Sequence, residues 1–101
     1  PPVEKKQPVF IVALGDEARA KAFCIQQELR ARGLYAEIDL MGRSMKGQMK
    51  SANKMDADYT VIIGEDELAS QTAQVRNMAT KEQISVPLDG IVAYMETHKK
   101  G

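Results

Sequence analysis

Residues 9–14 (VFIVAL) form an unbroken β-branched and apolar run that stops at Gly15-Asp16. A run apolar on both faces predicts a strand buried on both sides, the habit of parallel sheets. Ala18, Ala22, Ile25 and Leu29 then recur at helical spacing with polar residues between, until Gly33 supplies a stop; Asp16 is the expected N-cap. Residues 34–40 (LYAEIDL) predict a second strand, residues 44–56 a second helix, and residues 59–63 (YTVII) a third buried strand closed by Gly64. That β-α-β-α-β order demands right-handed crossovers, with helices on the faces of a parallel sheet.

The pattern changes after Gly64. Glu65-Asp66-Glu67 opens a loop, and residues 73–78 and 83–86 predict two shorter strands. The connection between them is too short for a crossover, so they pair antiparallel. Pro87 ends the last strand, and Leu88, Ile91, Val92 and Met95 share one face of a terminal helix. The expected architecture over residues 8–98 is a three-layer α/β domain, a mixed five-stranded sheet with three helices. Residues 1–7 (PPVEKKQ), polar and proline-rich, read as a linker from an upstream segment, and residues 99–101 as a C-terminal tail.

Composition narrows the function. The 101 residues are 44% hydrophobic and 28% charged, which suits one soluble domain. Lys+Arg and Asp+Glu both number 14, so a polybasic nucleic-acid binder is excluded and any affinity for phosphate must come from a local patch. One cysteine, Cys24, excludes a disulfide framework and a Cys-based zinc site, and makes a reducing, cytoplasmic setting the expectation. The sequence holds no apolar run long enough to cross a bilayer, and residues 1–7 are not expected to act as a secretory leader. Aromatics make up 5% and Trp is absent, so an aromatic stacking platform is not expected.

The second helix supplies the local patch. Arg43, Lys46, Lys50 and Lys54 fall within an arc of roughly 80° at about 100° per residue, and no acidic residue lies between Arg43 and Met55. Met45, Met49 and Ala52 fill the neighbouring face and are expected to pack on the sheet. Such a row is often only a solvated face; the functional alternative is a line of phosphate contacts reinforced by the helix N-terminus. Gly47, on the basic face, weakens the helix by about 1 kcal/mol relative to Ala, which makes sense where another group approaches closely. Residues 42–47 also have the G-x-x-x-x-G spacing of a P-loop. Gln48 and Met49 stand where its Lys and Ser/Thr belong, so nucleotide hydrolysis is not expected.

Glu65, Asp66 and Glu67 follow the third strand, at the edge where open α/β sheets bind ligands. Beyond a solvated loop, a carboxylate there suits a base edge that offers N–H donors; a metal reading lacks His or Asn partners. Catalytic candidates are thin. His98 is read as a frayed surface residue and Cys24 as a buried structural thiol. No catalytic or metal-ligating residue is assigned.

Residues 42–67 (GRSMKGQMKSANKMDADYTVIIGEDE), 73–78 (AQVRNM) with 82–86 (EQISV), and 86–95 (VPLDGIVAYM) together closely resemble the C-terminal anticodon-binding domain of histidyl-tRNA synthetases. The resemblance implies a sheet of strand order 2-1-3-4-5 with strand 4 antiparallel. It implies a domain that grips the anticodon stem-loop of histidine tRNA, while a separate catalytic domain, in an enzyme that is a homodimer, uses ATP and Mg to attach histidine. By position it makes Arg43, Lys46, Gln48, Lys50 and Lys54 candidate tRNA contacts, Glu65 the candidate base reader, and Arg76 and Asn77 further contacts from the antiparallel strand. No cofactor, DNA or membrane is implied for this segment, which lacks the family's ATP and histidine motifs and would be inactive alone. Two departures are Gly90, where an acidic residue is usual, and residues 69–72 (ASQT), where glycine is more frequent. The competing readings are a synthetase-like protein-interaction or regulatory module that does not read tRNA, and a small-molecule enzyme of the doubly wound class.

Overall fold

Pro8–Ala13 is strand β1, buried along its whole length, and the helix after it, α1, spans Asp16–Ala31. In the computed structural model, which describes residues 8–39 and 41–98, the chain continues through β2 (Tyr35–Ile38), α2 (Met45–Lys54), β3 (Tyr59–Ile63), α3 (Glu65–Ser70), β4 (Thr72–Asn77), β5 (Gln83–Pro87), a 3₁₀ turn at Leu88–Gly90 and α4 (Ile91–His98). The sheet order is β2-β1-β3-β4-β5. β1 pairs in parallel with β2 and β3, and β4 runs antiparallel to both β3 and β5. The expected order and strand directions are therefore those observed. The readings of residues 1–7 as a linker and 99–101 as a tail lie outside the described residues, as does residue 40 of the predicted second strand.

One element exceeds the expectation of three helices. The acidic segment is the opening turn of α3 rather than a loop, which gives four α-helices among the described residues. Glu67 Oε1 accepts the Gly64 N–H at 2.8 Å, and three acids in the first turn favour the positive end of the helix dipole. The helix stops after six residues, at left-handed Gln71. At the other end of the fold, α1 begins after Gly15, and Asp16 is its first residue instead of its cap.

Alternation along the strands divides the core. Val9, Ile11, Ala13, Val61 and Ile63 face α1 and α4 in the larger cluster, while Phe10, Val12 and Ile62 meet Ala52 and Met49 of α2 on the other face. Gln26 and Arg30 of α1 both donate to the Ala36 carbonyl and fasten the helix to edge strand β2. Because β1 and β3 are parallel, the N-termini of α1, α2 and α3 all emerge at one edge of the sheet. That edge carries the candidate site.

Candidate nucleic-acid interface

Helix α2 starts where Ser44 Oγ accepts the Gly47 N–H at 3.2 Å. Lys46, Lys50 and Lys54 are all exposed and, spaced four residues apart, follow one side of the helix. Arg43 is exposed too, but it precedes the helix instead of extending the row. Its Nη1 donates to Ser51 Oγ at 3.2 Å, so the side chain lies back along the helix. Gly47 explains how. A Cβ there would stand 3.3 Å from Arg43 Cβ and 3.7 Å from its Cδ, so the group that approaches the glycine is the protein's own arginine. For Gly47→Ala we expect half or less of the roughly 1 kcal/mol that helix propensity alone would give, because Arg43 must shift. Thermal unfolding of the variant checks it.

In the segment with P-loop spacing, Gly47 lies in the first turn of α2 and Arg43 packs against it. Gln48 also departs from its expected role as a tRNA contact. It is fully buried: Oε1 accepts the Ala13 N–H at 3.0 Å, while Nε2 donates to the Ala13 carbonyl at 2.9 Å and to the Arg43 carbonyl at 2.7 Å. Strand pairing between β1 and β2 ends at Ile11 and Ile38, and the glutamine amide substitutes for the missing strand beyond it. Met45 likewise does not pack on the sheet as expected. It is 38% exposed, and with Met41 it leaves apolar surface beside Arg43.

Glu65 is exposed at the end of β3, beside a cleft of about 260 Å³ that is also lined by Leu14, Asp16, Glu17 and Leu68. It shares the sheet edge with the head of α2 but sits on the face that α1 and α3 cover. Arg76 and Asn77 separate, because consecutive strand residues point to opposite faces. Arg76, opposite Thr60, lies on the α2 side, part-buried with a buried Nε that lacks a hydrogen-bond partner among the described residues. Asn77 faces the other side, where its Oδ1 accepts the N–H groups of Ala79 and Thr80 and shapes the β4–β5 turn. Thr60 stands at the opposite end of β3 from Glu65, so on the order of 15 Å of strand rise separates Arg76 from the glutamate.

One further expectation changes. Cys24 is exposed, not buried, since it falls on the far side of α1 from Ala22, Ile25 and Leu29. His98 is exposed, as expected, but it has partners: its ring stacks on Tyr94 at 4.0 Å between centroids and its Nδ1 meets the Tyr94 carbonyl at 2.8 Å. Burial, with Tyr59 and Glu82 nearby, pushes the Tyr94 phenol above its ordinary pKa, so it stays a neutral stacking partner. Among the described residues no group of three or more His, Cys, Asp or Glu side chains is placed to hold a metal ion, and no helix is long and apolar enough to cross a membrane.

The sequence model of the anticodon binding domain matches residues 8–98. The chain belongs to the anticodon-binding domain family. It is 44% identical over 95 residues to the histidine–tRNA ligase of Acetivibrio thermocellus, covering 94% of this chain and 23% of the relative. It is 52% identical over 83 residues to the histidine–tRNA ligase of Desulfatibacillum aliphaticivorans, covering 82% of this chain and 20% of that protein. The crystal structure of apo Staphylococcus aureus histidyl-tRNA synthetase superposes with a TM-score of 0.84 at 38% identity, over 90% of this chain and 27% of that one. The RNA binding domain of threonyl-tRNA synthetase from Cryptosporidium parvum, 18% identical with a TM-score of 0.76, shares the fold of this anticodon-binding domain over 91% of the chain and 23% of its own. The chain thus spans about a quarter of the length of the relatives it matches.

Proposed function

We propose that this domain binds the anticodon stem-loop of histidine tRNA, with α2 gripping the sugar-phosphate backbone and Glu65 reading a base. One observation supports it above the others. Helices α1 and α3 both place acids in their first turn, as the helix dipole favours, and α1 ends on a basic residue. Helix α2 ends on a basic residue too, Lys54, but departs from the rule at its start. Its first turn holds no acid and carries Lys46, and its lysines repeat at a spacing where like charges repel. A row of exposed like charges costs its helix stability, which supports a use for these cations with an anionic ligand.

Phosphate contacts position the loop, and base contacts specify it. Bases of a single-stranded loop are open to hydrogen bonding, and a carboxylate accepts the N–H groups on a guanine edge. The attachment of histidine, with ATP and Mg, would then belong to a catalytic domain in a longer, homodimeric and cytoplasmic enzyme, to which this domain contributes recognition alone.

Fluorescence anisotropy tests this with a labelled histidine anticodon stem-loop and a copy whose anticodon is scrambled. We expect the cognate loop to bind more tightly. Lys46→Ala and Lys50→Ala should each weaken both complexes by about 3–5-fold, as loss of one phosphate contact does. Glu65→Ala should leave the scrambled complex unchanged and reduce the preference for the cognate loop. Equal binding of the two loops, unmoved by the lysine substitutions, would overturn the proposal.

A further inference from the structure

Asp39 ends the β2 segment and begins the loop to α2. Only 7% of its side chain is exposed. Its Oδ1 accepts the Met41 N–H at 2.9 Å and so shapes the loop. Its Oδ2 is buried without a hydrogen-bond partner among the described residues, and Arg43 Nε stands 3.9 Å away, near enough for an ion pair and too far for a hydrogen bond. A buried carboxylate oxygen without a donor is costly and rare in natural proteins. Arg43, by contrast, keeps 54% of its side chain exposed while Nη1 rests on Ser51 and Gly47 leaves room beneath.

We propose that Asp39 is a positioning residue for RNA binding, holding the Arg43 guanidinium from behind so that its outward edge meets a phosphate of the bound loop. The inference rests on the RNA-binding reading of α2. A guanidinium is planar and carries five donors in a rigid fork, so it serves a carboxylate, a hydroxyl and a phosphate at once. Its Nε edge faces Asp39 and Nη1 faces Ser51, which leaves donors for the solvent side. A small rotation of the guanidinium would close Nε on Oδ2 and give the orphaned oxygen its donor, while the outward donors stay free for a phosphate. The carboxylate itself is shielded behind the cation, so it does not repel the RNA.

Asp39→Asn separates positioning from folding, since it keeps the Oδ1 acceptor and the shape while removing the charge. Affinity for the histidine anticodon stem-loop is measured for the wild-type chain, Asp39→Asn, Arg43→Ala and the double variant, each across a salt series. The proposal expects Asp39→Asn and Arg43→Ala to weaken binding by similar factors of about 3–10, and each to flatten the log–log salt slope by about 0.7, one single-strand phosphate. The double variant should be no weaker than Arg43→Ala alone. Arg43→Lys, which keeps the charge but loses the fork, should also bind more weakly than wild type. Unchanged or tighter binding by Asp39→Asn overturns the proposal, and so does a loss that adds in full to that of Arg43→Ala. If the wild-type chain binds and Lys46→Ala weakens it while Asp39→Asn does not, only the role of Asp39 fails. If the wild-type chain does not bind, the RNA-binding reading fails with it.

Discussion

Gln48→Ala should cost about 3–5 kcal/mol of folding stability, a large part of the 5–15 kcal/mol typical of a domain. Its amide makes three hydrogen bonds in a fully buried position, two to the peptide groups of Ala13 and one to the Arg43 carbonyl. Truncation removes those bonds, strands the Ala13 N–H and C=O away from water, and leaves a cavity between α2 and β1. Gln48→Leu fills that cavity without restoring a partner, so it should recover less than half of the loss. Gln48→Glu keeps the acceptor for the Ala13 N–H but aims an anionic oxygen at two carbonyls, and should be at least as damaging at neutral pH. Urea unfolding of the three variants gives the comparison. A loss below about 1 kcal/mol for Gln48→Ala would mean that water takes over the bonds of the amide.

This glutamine also marks the limit of what the sequence discloses. The strands at β1 and β3 are legible because runs such as VFIVAL and YTVII admit few other placements, and the short link between residues 78 and 83 fixes the antiparallel end of the sheet. The lysine row is legible from helical spacing alone. Gln48 is not, since polarity places it on the surface until the unpaired peptide groups of Ala13 are seen beyond the end of β2. Helix α3 has only six residues, too few for a period to declare itself, although Glu67 three residues after Gly64 is a capping signal. The link between Asp39 and Arg43 depends on how the loop folds, which no spacing rule supplies. The exposure of Cys24 is legible, since the apolar arc of α1 leaves it outside, and so is the strand period of two that sets Arg76 and Asn77 on opposite faces.

Lys50→Glu should raise the thermal stability of the domain while weakening its RNA complex. Lys50 sits four residues from both Lys46 and Lys54 on an exposed helix face, so the wild type has two like-charge pairs. The substitution turns each into an opposite-charge pair. At about 0.2–0.5 kcal/mol per pair, with the sign reversed in both, the gain is on the order of 1 kcal/mol, or about 4–8 °C in Tm for a domain of this size. Replacing a phosphate contact with a phosphate-repelling carboxylate acts the other way, and we expect affinity for the histidine anticodon stem-loop to fall about 10–30-fold at physiological salt, with a shallower salt dependence. A helix whose lysines served only solubility would give the first effect without the second. One whose lysines supported the fold would lose stability and binding together. Greater stability with loss of RNA binding is the signature of a cationic face kept for a ligand, at a small cost to the helix that carries it.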